Sequence, residues 1–164
     1  MAITSGVTVS RLSAEETREH GFTHAAVIPY SSVVTVGGAT TTATIAIADV
    51  IAGDVVAEAA YKLTTSFTDS DASLNSVTIQ VGDGSNTARF LAAASSQLSA
   101  DGSTLTYGIG AAGVAATPTC PYVYASADTV DVLFTVAGGA SPTCAELTAG
   151  SVTVYLRINQ LSKL

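Results

Sequence analysis

Two histidines four residues apart, His20 and His24, are the first residues whose spacing could support chemistry. On a helix, that interval places two imidazoles on one face, as in many zinc hydrolases. Here Gly21 interrupts the interval, and the intervening residues lack the glutamate that such enzymes use as a general base. The spacing therefore predicts a surface histidine pair near a helix end. At an interface, the pair would make binding pH-sensitive near the imidazole's reference pKa of about 6.5.

Two cysteines, Cys120 and Cys144, lie in matching Pro-Thr-Cys contexts. They do not form a Cys-x-x-Cys motif, so redox and zinc-binding roles have little support. Both fall in predicted loops that could meet in space. The sequence leaves two outcomes open, which are a pair of inert thiols or a disulfide that forms after cell lysis.

A glycine-rich run at 108–113 matches the letters of the dinucleotide-binding fingerprint and follows a predicted strand. That fingerprint needs a helix next, because the pyrophosphate binds at the helix N-terminus. Pro118 and Pro121 exclude a long helix there. The run therefore predicts a flexible loop and no nucleotide site.

Aspartates and serines offer no stronger catalytic or metal site. Asp69, Asp71 and Asp83 could supply oxygen ligands, but the glutamate that completes an EF-hand loop is missing, so solvated turn aspartates are expected. No Gly-x-Ser-x-Gly elbow for a serine nucleophile occurs. We therefore expect no enzyme activity and no cofactor, and we assign no metal-binding residues, while a calcium site assembled from separate loops stays open.

Charge is sparse and negative along the whole chain. The net charge is −7, and only 12% of residues are charged. The six cations form no basic stripe, which argues against binding of nucleic acid or of an anionic membrane surface. No apolar run is long enough to span a bilayer, and the first residues do not resemble a secretory signal. Synthesis in a cytosol is the expectation.

The first thirty residues carry both histidines and the densest charge, and they contain a helix signal. Ser13 and Glu16 have the spacing of a capping box, and Gly21 is a helix stop. These signals predict one short helix at about 14–20.

From residue 32 onward, apolar and polar side chains alternate, which is the period of strands with one buried face. In the strand 54–67, the predicted inward side chains include Val55, Thr65 and Phe67. The other predicted strands are 129–137, 151–159 and the weaker 32–36, 43–48, 74–81, 88–93 and 104–109. About eight strands with little helix predict an all-β fold, a two-sheet, jelly-roll-like β-sandwich whose strand order stays open.

Five segments carry a family resemblance: Ala48–Val56, Leu63–Phe67, Val77–Gly84, Ala88–Leu91 and Leu147–Ile158. Together they resemble small virion structural proteins of tailed bacteriophages, of the capsid decoration or cement type. The resemblance implies a jelly-roll-like homotrimer that sits outside the capsid where subunits of the major capsid protein meet, and reinforces the shell. It also implies a place in the virion after synthesis in the host bacterial cytoplasm.

On that resemblance, the chain divides into an N-terminal anchoring segment at 1–30 and a β-sandwich domain at 31–164 that supplies the trimer contacts. Three weak contacts acting together in a trimer would bind far more tightly than one contact alone. The candidate capsid-anchoring residues are the charged, histidine and aromatic side chains of the first segment: Arg11, Glu15, Glu16, Arg18, His20, Phe22 and His24.

A receptor- or carbohydrate-binding module of a phage tail or fibre is the alternative, because β-sandwiches host many functions. Sugar sites usually use exposed aromatic side chains. The chain has no tryptophan, and Tyr107, Tyr122 and Tyr124 form the one suggestive group. They lie near 110–127, an irregular stretch long enough to be an interface loop.

Overall fold

The computed structural model describes residues 4, 6–70, 74–92, 107–109, 120–139 and 141–161. Within them, the helices are α1 (Ala14–His20), α2 (Tyr30–Gly37) and a short 3-10 helix (Cys144–Glu146). Neither α-helix is long and apolar enough to cross a membrane. The strands are β1 (Thr8–Arg11), β2 (His24–Pro29), β3 (Thr42–Val50), β4 (Val55–Asp69), β5 (Leu74–Gly82), β6 (Tyr107–Ile109), β7 (Tyr122–Val123), β8 (Asp128–Gly138) and β9 (Leu147–Asn159).

The described strands form two antiparallel sheets. Sheet A has the order β1-β2-β9-β4-β6, with β7 also paired to β4, and sheet B has the order β3-β8-β5. Consecutive strands from β2 to β6 alternate between the two sheets, and β8 and β9 each insert between two earlier strands. This arrangement confirms the predicted two-sheet β-sandwich.

The core lies between the sheets and follows the predicted alternation of β8 and β9. Phe67 of sheet A meets Phe134 of sheet B with ring centroids 5.7 Å apart. The predicted inward residues of β8 and β9 are all buried: Val130, Val132, Phe134, Val136, Val152, Val154, Leu156 and Ile158.

Strand β4 departs from the predicted alternation because it is bulged. Val56 is buried and Val55 is only half-buried, the reverse of the prediction, and the pairing with β9 shifts between Val56 and Glu58. A bulge inserts one residue and so reverses which side chains face the core. A second irregularity leaves Thr65 exposed, although it was predicted to face inward, before Phe67 returns to the core.

Residues 32–36 lie in α2, so the predicted strand there is wrong. Val33 is fully buried, and the Thr35 hydroxyl donates to the Ser31 carbonyl at 2.8 Å. β-branched residues pay only a small penalty in a helix, and the burial of Val33 outweighs it.

Two other weak strand predictions, at 88–93 and 104–109, have different outcomes. Residues 88–92 form turns and a single bridge between Val81 and Leu91, so a strand at 88–93 is also wrong for its described part. Of 104–109, the described residues 107–109 are β6. The short strands β1, β2 and β7 were not expected from the alternation.

The first thirty residues contribute two strands to sheet A, since β2 pairs with β9 and β1 pairs with β2. Between them, α1 begins with the expected capping box: the Glu16 amide donates to Ser13 Oγ at 3.2 Å, and the Ser13 amide donates to Glu16 Oε2 at 2.9 Å. Gly21 ends α1 in the left-handed region at φ 76°. The helix predicted at 14–20 is confirmed, and it is attached to the sandwich on both sides.

Candidate functional site

An open groove of about 740 Å³ lies between α1 and the outer face of sheet A, and we call it the α1 groove. Its floor consists of outward side chains of β2, β9 and β4, and its wall consists of α1 and the residues next to it. The floor has two cross-strand rows, Ala25–Tyr155–Ala60 and Val27–Thr153–Lys62.

Small side chains on either side of a tyrosine create the depression in the floor. Ala25 and Ala60 flank Tyr155 across the strands and are 7% and 8% exposed. Phe22, just after α1, packs against Tyr155 with ring centroids 5.7 Å apart. The floor is therefore apolar beside this aromatic pair.

The wall that α1 presents to the groove is polar. Glu16, Glu19 and His20 line it, and none of the residues of α1 is buried. Hydrogen bonds from the Ser13 amide and hydroxyl lower the pKa of Glu16, with a smaller contribution from His20. Glu19 Oε2 lies 3.7 Å from His20 Nε2. The wall thus holds a fixed carboxylate and a second one on the next turn.

Three of the seven predicted anchoring residues meet in this groove: Glu16, His20 and Phe22. Glu15 and Arg18 are exposed on α1 and belong to other parts of its surface. The predicted group is therefore divided between the groove and the open face of the helix.

Arg11 and His24 lie opposite each other in the register of β1 and β2, outside the groove lining. His24 Nδ1 is 2.8 Å from the hydroxyl of Thr23, and Thr23 in turn bonds to the backbone of β9. His20 ends a helix and His24 begins a strand, so the two do not share one helix face.

Tyr155 is a groove residue that alternation alone assigns only to the outer face of β9. The signal that marks it is an aromatic residue at an outward position of a strand with polar neighbours, Thr153 and Arg157. Leu12, which precedes the N-cap residue Ser13, also lines the groove.

A second polar cluster is buried at the end of β5. Asp83 is 1% exposed, and its carboxylate forms an ion pair with Arg89, whose guanidinium lies 3.9 Å from the centre of the Tyr122 ring. Asp83 Oδ1 also accepts the amides of Ser85 at 3.0 Å and Asn86 at 2.8 Å. Burial raises the pKa of Asp83, but the hydrogen bonds from Arg89, Ser85 and Asn86 outweigh it and hold the pKa below its usual value.

The tyrosines that suggested a sugar site belong largely to this cluster. Tyr124 is 3% exposed, its hydroxyl is 3.4 Å from Asp83 Oδ2, and its ring meets Tyr122 edge-on at 5.0 Å. Burial raises the pKa of Tyr124. These rings hold the turn after β5 against the segment before β8. For Tyr107 only the backbone is described, and residues 110–119 of the long irregular stretch lie outside the described residues.

No group of three or more histidine, cysteine, aspartate or glutamate side chains that could hold a metal occurs in the described part of the chain. Asp69 accepts the Leu74 amide at 2.7 Å, which is the role of a turn aspartate. Asp71 lies outside the described residues.

Cys120 and Cys144 are free thiols near opposite ends of β9. Cys120 is exposed and close enough to Arg157 to feel its charge, whereas Cys144 is buried just before Leu147. The strand from Leu147 to Arg157 spans roughly 30 Å. A disulfide requires Cα atoms within about 7 Å. A bond between these two cysteines of one chain is therefore not part of this fold.

A chain in a solved phage structure has a similar fold. It belongs to the structure described as "Cyanophage Pam1 capsid asymmetric unit", and it aligns with a TM-score of 0.51 and 19% identity over 95% of this chain and 86% of that chain. No protein-family model and no curated protein matches the sequence. At this identity, the likeness is one of fold.

Proposed function

We propose that this protein is a structural component of a bacteriophage virion that binds the outside of the capsid as an oligomer and stabilises the shell, as decoration or cement proteins do. The observation that carries this proposal is the similarity of fold, over 95% of this chain, to a chain of a phage capsid assembly. In this role, the protein is made in the host bacterial cytoplasm and resides on the capsid surface.

The strand order supports a jelly roll, an architecture used by viral capsid proteins. Strands β2 to β6 alternate between the sheets, and the late strands β8 and β9 return to central positions. That pattern fits two interleaved Greek keys, in which a late strand lies beside an early one.

The two outer faces of the sandwich suit two different contacts. Sheet A carries the α1 groove and the Glu58–Arg157 ion pair, and we assign this face to the major capsid protein. The outer face of sheet B contains two uncharged rows, Thr44–Leu133–Gln80 and Thr42–Thr135–Thr78, and the charged residue Asp131 lies in the row next to them. Cores of subunit interfaces are depleted of charge, and copies with a net charge of −7 repel unless the touching faces are neutral. We therefore assign sheet B to self-association, as a homotrimer.

The direct test mixes the purified protein with capsids assembled from the same phage genome without it. We expect the protein to sediment with the capsids and to raise the temperature at which they open. Light scattering of the free protein should give about three times the chain mass of 16.4 kDa.

Protein that stays in the supernatant would contradict capsid binding, and a monomer would contradict the trimer assignment. A glycan array provides the counter-test, because array binding without capsid binding would indicate a receptor-binding module instead.

A further inference from the structure

The shape and charge of the α1 groove indicate what it binds. This inference rests on the proposed capsid binding. We propose that the groove receives an extended segment of the shell subunit, with an apolar side chain toward sheet A and a lysine or arginine toward α1.

The first observation is that α1 buries no side chain fully. It has seven residues, of which Thr17 is half-buried and the other six are exposed. Isolated helices shorter than about 12 residues are marginal in water, and helices in proteins gain most of their stability by burying a face. The capping box and Gly21 fix its two ends, while its lower side faces the open groove. A segment of another chain in the groove would supply the missing contacts.

The second observation is that the two sides of the groove differ in character. The row of the floor around Tyr155 consists of Ala25, Ala60 and the Phe22–Tyr155 pair and is apolar, the neighbouring row ends in Lys62, and the wall carries carboxylates. Successive side chains of an extended segment point to opposite sides. Such a segment can place an apolar side chain on the floor and a polar one against the wall. A volume of about 740 Å³ lies within the range of pockets that enclose a drug-sized ligand, which corresponds to a few residues.

The third observation is the charge on the wall. Glu16 is held in place by the amide and hydroxyl of Ser13, and Glu19 lies on the same side of α1 one turn later. The lining also contains one lysine, Lys62, so two carboxylates face one cation and the groove keeps a net negative charge. That balance favours a further cationic side chain, which a positioned carboxylate can bind through charge-assisted hydrogen bonds. A second copy of this chain fits less well, because its net charge is −7 and it carries only six cations.

The test compares two charge reversals on the same helix, Glu19→Lys and Glu15→Lys. Both change the charge equally, but Glu19 lines the groove and Glu15 does not. If the groove makes the contact, Glu15 is not an anchoring residue, contrary to the expectation from the sequence. Quantitative sedimentation with capsids should show that Glu19→Lys weakens binding by about tenfold or more, the scale of one charge-assisted hydrogen bond. Glu15→Lys should stay within about twofold of the natural protein. Circular dichroism checks that both variants fold.

A crosslinker identifies the occupant. Val27 is 40% exposed and lines the groove, so it can be replaced by a photoreactive benzoylphenylalanine. We expect mass spectrometry of the irradiated capsid complex to find a shell peptide with a lysine or arginine next to an apolar residue.

Crosslinks only to a second copy, or equal effects of the two charge reversals, would overturn the assignment of the groove and leave capsid binding intact. Failure of the natural protein to bind capsids at all would overturn both proposals.

Discussion

Replacing Arg89 by alanine should lower the free energy of unfolding by about 3 kcal/mol. Removing one partner of a buried ion pair costs about 3 to 5 kcal/mol, because the other charge is left without compensation. The side chains of Arg89 and Asp83 are 13% and 1% exposed, so water has little access to the pair. The amides of Ser85 and Asn86 continue to donate to Asp83, which places the cost at the lower end of that range.

Arg157→Ala is the matched control, because it breaks an ion pair of the same chemistry in a more exposed place. Arg157 lies 3.1 Å from Glu58, and the two side chains are 44% and 29% exposed. Solvent screens this pair, so the expected loss is about 1 kcal/mol or less. The difference between the two arginine variants isolates the effect of burial.

Urea unfolding followed by far-ultraviolet circular dichroism measures both variants, at one protein concentration because the proposed self-association would contribute to stability. The pKa of Asp83 is lowered in the folded state, so its contribution is complete above the ordinary pKa of an aspartate and is lost as pH falls through the lowered value. The deficit of Arg89→Ala should therefore shrink in acid. Losses for Arg89→Ala and Arg157→Ala that agree within about 0.5 kcal/mol at neutral pH would refute the reasoning.

Three further predictions concern single residues. Gly150→Ala should cost about 3 kcal/mol in urea unfolding, because Gly150 has a φ of 135° and a Cβ there would lie 2.5 Å from the Phe67 ring; a loss below about 1 kcal/mol would contradict this. Asp131→Asn should stabilise the protein at neutral pH, since burial raises the pKa of Asp131, and the gain should fade as pH drops through that pKa; no gain at pH 7 would contradict it. Glu16→Ala should speed amide hydrogen exchange in α1 by removing the bonds to Ser13 while leaving the urea midpoint unchanged, and unaltered exchange would count against the capping box.

The sandwich could be predicted because buried and less buried residues alternate without interruption from Val130 to Val136 in β8 and from Gly150 to Ile158 in β9, so the inward residues there can be read directly from the sequence. The bulges of β4 could not, because they depend on how that strand pairs with β9 and not on its own composition. The valine-rich run at 32–36 is compatible with either a strand or a helix, and packing of Val33 decides between them. A sequence pattern therefore predicts secondary structure reliably where only one structure fits it, as in β8 and β9. It does not where a strand and a helix both fit it, as at 32–36.

The α1 groove was only partly predictable for a related reason. The capping box at Ser13 and Glu16 fixes where α1 begins, and thus which of its residues share a face. The floor, by contrast, depends on the registers that bring Ala25 and Ala60 to either side of Tyr155. Those residues are 35 positions apart in the sequence or more, so no local pattern connects them. The wall of the groove could therefore be predicted from local sequence. The floor could not, because it depends on how β2, β9 and β4 align.

The openness of the groove follows from the residue types on α1. A helix over a sheet normally places leucines or valines at the spacing occupied here by Glu16, Glu19 and His20, and it packs down on them. Carboxylates cannot do so over an apolar floor, because burial without partners would cost each of them several kcal/mol. The helix therefore leaves an open groove above the floor, and this is the space that the proposed capsid segment would fill with an apolar side chain and a cation.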